Sequence, residues 1–335
     1  MTMLTNALSW VRSLQVRHLT HQQEVPEKYR EDGILTGYRL ANQPWRYYIG
    51  SLFQIHNETL NVWTHLIGMF IIWYALGQYF LIYDWWTDKD SWPMLTFGIC
   101  SSLTHLLSSL AHLLHSKNLY VHHLVFMIDF IGVVLFAFGT GILAMYSCSD
   151  KEMYMVLKPF YLYVLAFMTW FNHAFFCFAL LCFSGGPQVV KRRALQVGAL
   201  LVEVVLIFIP FFPRYCKCFA DPECSLRSFD HITLTFPAFG AQAFFFLSQI
   251  PERFFPGKFD IVGHSHQIFH VCATVAQLLQ MRAVHQDIQN GVSSHAQPDL
   301  SSMLTVLTVL IVCSIGSICF LQQYIPCSLK RVKAK

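Results

Sequence analysis

Charge is what this chain has least of. Asp, Glu, Lys and Arg make up 13% of its 335 residues, about half the share of a typical soluble domain. That deficit excludes an ordinary soluble globule and places the chain in the integral membrane class. Strict apolar–polar alternation is also missing, which argues against a transmembrane barrel. Internal repeats and low-complexity tracts are absent, so a solenoid or a disordered polar chain is not expected. The first 19 residues, "MTMLTNALSWVRSLQVRHL", lack a long apolar core, so no cleavable signal peptide is expected. The formal net charge is only +4, too weak and too scattered to argue for nucleic-acid binding.

What is present is apolar surface in continuous runs. Hydrophobic residues reach 55%, and eight stretches are long enough to cross a bilayer as helices: roughly 60–83, 92–115, 123–147, 155–183, 195–212, 230–250, 261–281 and 303–323. The expected fold is all-α integral membrane: a bundle of seven transmembrane helices plus an eighth, C-terminal one. An N-terminal segment over 1–54 precedes the spanning region 55–323, and a basic tail follows over 324–335. Leu4, Leu8, Val11 and Leu14 recur at helical spacing beside Arg12 and Arg17. They predict either an amphipathic surface helix or a disordered tail.

Lysine and arginine fix the expected orientation. With the N-terminus inside, sixteen of the 23 fall on the inner side and seven on the outer. The positive-inside rule then puts both termini in the cytoplasm. The "KRR" at 191–193 and the basic tail carry most weight. Four of the eleven cysteines, Cys148, Cys216, Cys218 and Cys224, fall in expected outer loops, where disulfides are permitted. "NET" at 57–59 fits a glycosylation pattern but lies on the inner side, so modification there is not expected.

The chemistry is concentrated in "GHSHQIFH", 263–270. His266 and His270 are four apart, hence on one helix face, and can grip one ion. His264 lies about 200° around the helix from His266 and is expected at the mouth. A zinc with an open position takes three protein ligands. "LTHLLSSLAHLLHSK", 103–117, offers His105, His112 and His115, with Ser108 one turn before His112. Depth selects among them. His112 ends the second run, His266 and His270 begin the seventh, and Asp129 lies two turns into the third. All reach a similar level on the cytoplasmic side, whereas His105 would lie about 10 Å deeper. His105 and His173 fit ordinary hydrogen bonds between helices better. Glu203, within the fifth run, needs a partner or a polar cavity.

"SLAHLLH", Asp129 and "SHQIFH" together resemble the Ser-x-x-x-His, Asp and His-x-x-x-His pattern of the progestin and adipoQ receptor family. That family is grouped with the alkaline ceramidases. "GYRLANQPWRYYIGSLFQIHNETLNVWTHL", 37–66, and "PERFFPGKFDIVGHSHQIFHV", 251–271, are similar to further family signatures, and the resemblance spans roughly 24–335. The eighth run and basic tail are similar to the membrane progestin receptor branch, of alpha/beta type. The resemblance implies Zn2+ held by His112, His266 and His270, Asp129 holding a water at the metal, and Ser108 beside it. Glu58, Asn61 and His65 match the family's acidic-Asn-His pattern and read as a polar cluster, not as ligands.

Two functions follow as expectations. The first is a plasma-membrane receptor that takes a steroid or other lipid from the bilayer and signals to a cytoplasmic partner such as a G protein. The second is a zinc-dependent lipid amide hydrolase of ceramidase type, with Asp129 as base and Ser108 steadying the oxyanion. The same histidines also suit a structural zinc pinning three helices.

Overall fold

The computed structural model describes residues 19–183 and 188–328. The proposed amphipathic helix at 4–14 and the basic residues 330–335 lie outside that range. Among the described residues the protein is helical apart from one short two-stranded ribbon, β1 (Leu19–Thr20) against β2 (Tyr38–Arg39). Helices follow in chain order: α1 (Trp45–Gly50), α2 (Thr59–Phe80), α3 (Trp92–Leu114), α4 (Leu119–Tyr146), α5 (Lys151–Leu157), α6 (Tyr161–Cys182), α7 (Gln188–Phe208), α8 (Phe212–Ala220), α9 (Asp230–Thr233), α10 (Thr235–Ser248), α11 (Ser265–Gln289) and α12 (Leu300–Leu321).

Among the described residues, five helical stretches are long and apolar enough to cross a membrane: Thr59–Phe80, Lys89–Lys117, Leu119–Tyr146, Tyr161–Cys182 and Leu300–Ser328. A sixth results if α7 and α8 are one span bent by 58°. The bend falls at Pro210, which has no N–H to continue the ladder. The sequence reading had eight. The expected sixth run is divided at Leu234, which leaves α10 with 14 residues. The expected seventh, α11, has 25 residues, but Gln267, Gln277, Gln280, Arg282 and Asp287 make it too polar to score as lipid-facing. Gln267, Gln277, Gln280 and Asp287 are buried inside the bundle, whereas Arg282 is exposed.

Close helix packing aligns the elements. α3 and α4 form the most extensive pair. Gly132 permits it, because a Cβ there would come within 2.8 Å of the Thr104 Cα. Thr104 Oγ1 in turn donates to the Gly132 carbonyl at 2.8 Å. Asn118 caps α4 by accepting from Val121 N at 2.8 Å, so the α3–α4 turn is tight and both helix ends near the histidines are fixed.

Residues 19–54 fold into a plug against the helices. Val25, Tyr29, Ile34 and Tyr38 form a small core of their own. Buried Arg39 donates to the His112 and Leu113 carbonyls at 2.7 and 2.6 Å, satisfying the C-terminus of α3. Asp260 accepts from Leu35 N and Thr36 N at 2.9 and 2.8 Å, fastening the plug to the entrance of α11. At the opposite end of the bundle, Cys218 and Cys224 form a disulfide, while Cys148 and Cys216 are free thiols.

Candidate metal centre

His112 lies in the last turn of α3, and His266 and His270 lie in the first two turns of α11. α11 begins only at Ser265, because Gly263 is left-handed (φ 87°) and His264 is extended. That start places His266 and His270 on one inward face and leaves His264 outside the helix, at the mouth. One ring nitrogen from each of His112, His266 and His270 lies within 4.8 Å of the other two. His112 Nε2 and His266 Nε2 are 3.2 Å apart.

Two of the three imidazoles are held in a defined tautomer. His112 Nδ1 lies 2.8 Å from Glu58 Oε2. A carboxylate can only accept, so Nδ1 carries the proton and Nε2 keeps its lone pair. Thr64 Oγ1 already donates to the Leu60 carbonyl at 2.6 Å. Its hydroxyl therefore accepts from His270 Nδ1, 3.1 Å away, and leaves the His270 Nε2 lone pair free. The His266 ring stacks on Phe269 with centroids 5.5 Å apart. Two helices thus present the rings, and the start of α2 orients two of them. Such support normally accompanies metal-ligating histidines.

These residues fit a zinc ion. Three neutral imidazoles are a common zinc donor set, and two nitrogens on one tetrahedral zinc stand about 3.3 Å apart. The observed 3.2 Å separation matches.

Asp129 and Ser108 complete the polar end. Ser108 lies against the Asp129 carboxyl, and both are buried. Asp129 Oδ1 has no hydrogen-bond partner among the described residues. Glu58 also accepts from Asn61 Nδ2 at 2.7 Å and faces His115 Nε2 at 3.5 Å. Burial would raise the Glu58 carboxyl, but His115 and His112 outweigh it and hold it well below the usual range. His65 Nδ1 lies 2.9 Å from His105 Nδ1, and His105 Nε2 lies 2.8 Å from Gln277 Oε1. His173 bonds the Met127 carbonyl at 3.1 Å. His105 and His173 are thus interhelical hydrogen-bonding residues, as their depth implied.

A cavity of about 580 Å³ opens from this cluster. Its walls are apolar: Phe130, Phe136 and Leu143 of α4, Val204 and Phe208 of α7, and Phe239 of α10. The lining residues of α4 run from His122 to Ala144, about 33 Å of helix. Glu203, also on α7, is fully buried and accepts from Thr169 Oγ1 at 2.5 Å and Asn172 Nδ2 at 2.6 Å. Neutral donors on α6, not a cation, are its partners.

Several functional contacts were not readable in the sequence. Glu58 was read as part of a polar cluster, yet it bonds a histidine of the triad directly. The role of Thr64 was unmarked. The offsets 58, 61 and 65 were the available signal, since they share one helix face.

The fold and the site define a multi-pass helical membrane protein with a buried histidine triad at one end of a lipid-sized cavity. Residues 53–281 match the family described as Haemolysin-III related. The chain is 34% identical over 309 residues to membrane progestin receptor beta of Mus musculus, covering 90% of this chain and 86% of that protein. It is 36% identical over 270 residues to membrane progestin receptor beta of Homo sapiens, covering 79% and 75%. Membrane progestin receptor alpha-B of Danio rerio is 31% identical over 294 residues, covering 87% and 82%. The chain belongs to the haemolysin-III-related, progestin and adipoQ receptor family.

Proposed function

We propose that this protein is a membrane progestin receptor whose steroid occupies the long cavity beside a zinc site held by His112, His266 and His270. The observation that carries the reading is the cavity itself: about 580 Å³, walled mainly by apolar side chains with a few polar ones, Thr140, Gln242 and Gln280 among them. A steroid is a rigid apolar body with a few polar groups, and such a slot with few anchors suits it. The relatives' names support the same ligand class. The test is saturable progesterone binding to purified full-length protein, with Phe136→Trp or Phe239→Trp expected to weaken it by filling the slot.

The proposal extends to topology. α10 and α11 complete eight crossings, both termini face the cytoplasm, and the protein resides in the plasma membrane. The organisation is a cytoplasmic segment over 1–54, the spanning region over 55–323 and a cytoplasmic tail over 324–335. Lys191, Arg192 and Arg193 place the α6–α7 connection inside by the positive-inside rule. A G protein is the expected cytoplasmic partner.

One observation favours a second reading, a lipid amide hydrolase. Asp129 Oδ1 is buried without a partner in the cavity, next to the triad. When bound, zinc would supply a Lewis acid for an amide carbonyl. Asp129 would take a proton from water and return it to the leaving amine, and Ser108 would donate a hydrogen bond to the developing oxyanion. Fatty-acid release from ceramide by purified, zinc-containing protein, with and without progesterone, separates receptor from enzyme.

A further inference from the structure

The cavity has a second polar region, at the mouth between the N-terminal plug and the start of α7. Lys28, Tyr29, Arg192 and Gln196 all line it. Arg192 and Gln196 are four apart on α7, so they share a face. Lys28 is 9% exposed, and its ammonium reaches only the Ser328 carbonyl and hydroxyl, both at a weak 3.4 Å. Burial and the neighbouring Arg192 guanidinium pull the Lys28 ammonium down to about 8. Two cations therefore line the same cavity, close enough for the charge of one to act on the other. Among the described residues, Arg192 has one partner, the Phe183 carbonyl at 3.5 Å.

Acidic neighbours do not cancel this charge. Glu31 is committed to Arg193 at 3.0 Å, although its field also reaches Arg192. Glu27 acts on Lys28 only through space. Two further donors are left over. Among the described residues, Tyr29 Oη and Gln196 Nε2 have no partner, and their residues are 6% and 4% exposed. Leaving a buried donor unpaired is costly, so two of them sharing a cavity wall with two cations are a strong asymmetry. The cavity also carries Glu31, Glu58 and Glu252, each already bonded to a protein donor on Arg193, His112 or Ser265, so this part of the wall is left with donors and positive charge.

We propose that Lys28, Tyr29, Arg192 and Gln196 form a site for a phosphate group at the cavity mouth, with any attached acyl chain running into the apolar slot. A phosphate monoester supplies the charge and the three acceptor oxygens that two cations and two neutral donors require. A neutral steroid uses none of this, so the site distinguishes an anionic amphiphile as a second ligand class. The assignment rests on the reading of the cavity as a lipid-derived ligand's site. The phosphate itself has two sources, a lipid headgroup or a soluble ion.

The test uses purified full-length protein and native mass spectrometry with four probes: palmitoyl lysophosphatidic acid, monopalmitoylglycerol, palmitate and inorganic phosphate. Lysophosphatidic acid should bind at least about ten-fold more tightly than monopalmitoylglycerol, which has the same tail without the phosphate. Lys28→Gln and Arg192→Gln should each lose about that factor. Tyr29→Phe removes a hydroxyl that bonds nothing in the protein, so it should weaken phosphate binding several-fold while leaving thermal stability unchanged. Tyr29→Phe and Gln196→Leu keep the test decisive where a cation variant fails to fold. Tighter binding of lysophosphatidic acid than of inorganic phosphate assigns the site to lipid, and equal binding assigns it to the soluble ion. Palmitate binding as tightly as lysophosphatidic acid overturns the phosphate assignment, as does unchanged affinity in Tyr29→Phe together with Gln196→Leu. Progesterone binding, measured in parallel, fails or succeeds separately and reports on the receptor reading alone.

Discussion

Glu58 Oε2 lies 2.8 Å from His112 Nδ1, joining the residue just before α2 to the last turn of α3. The contact fixes the His112 tautomer and turns its Nε2 toward His266 and His270. It brings the start of the first long helix to the candidate centre.

Replacing Glu58 by Gln should therefore weaken metal without removing a ligand. The amide can donate to Nδ1 and favour the wrong tautomer. Zinc affinity should fall by about 10–100-fold, the usual effect of losing such a partner. Competition with a fluorescent chelator measures it, and wild-type affinity in the mutant would show that Glu58 has no orienting role.

The triad itself predicts stoichiometry. Purified protein should contain close to one zinc per chain, and His266→Ala with His270→Ala should strip it, as read by elemental analysis. Full zinc retention in the double mutant removes the assignment.

Asp129 separates receptor from enzyme. Asp129→Asn preserves shape and removes the base. The mutant should keep its zinc and fold and should lose at least about ten-fold in any ceramidase rate, given the 10²–10⁴-fold range of general-base catalysis. Progesterone binding should survive in an apolar site apart from the triad. Loss of steroid binding in a folded mutant would instead mean that the two sites overlap.

Gly132 tests the packing that sets the geometry. A side chain there meets the Thr104 backbone at 2.8 Å, so Gly132→Val must push α3 from α4. About 1–3 kcal/mol of stability should be lost, typical of overpacking, and zinc affinity should drop with it because His112 moves. A melting curve unchanged from wild type would contradict the close approach.

Topology is checked with tags. Epitopes at either terminus should stain permeabilised cells only, and one near Asn290 should stain intact cells. External staining of the C-terminus would mean an odd number of crossings.

The sequence by itself determined the class of protein and pointed to the histidines of its candidate centre. Low charge and continuous apolar runs leave few solutions but membrane helices. His266 and His270 share a face because they are four apart, and depth brought His112 and Asp129 to their level. These are local facts, set by helical periodicity and by length along the chain. The tertiary structure decided what periodicity does not encode. Glu58, Thr64 and Arg39 serve the centre from segments far away in sequence, and their roles depend on which chain ends meet. The polar side chains of α11 hide its apolar character, since their partners come from neighbouring helices. The cavity has no sequence signature, being the space that several helices leave between them. The unpaired donors of Tyr29 and Gln196 become visible only when every hydrogen bond around them has been placed.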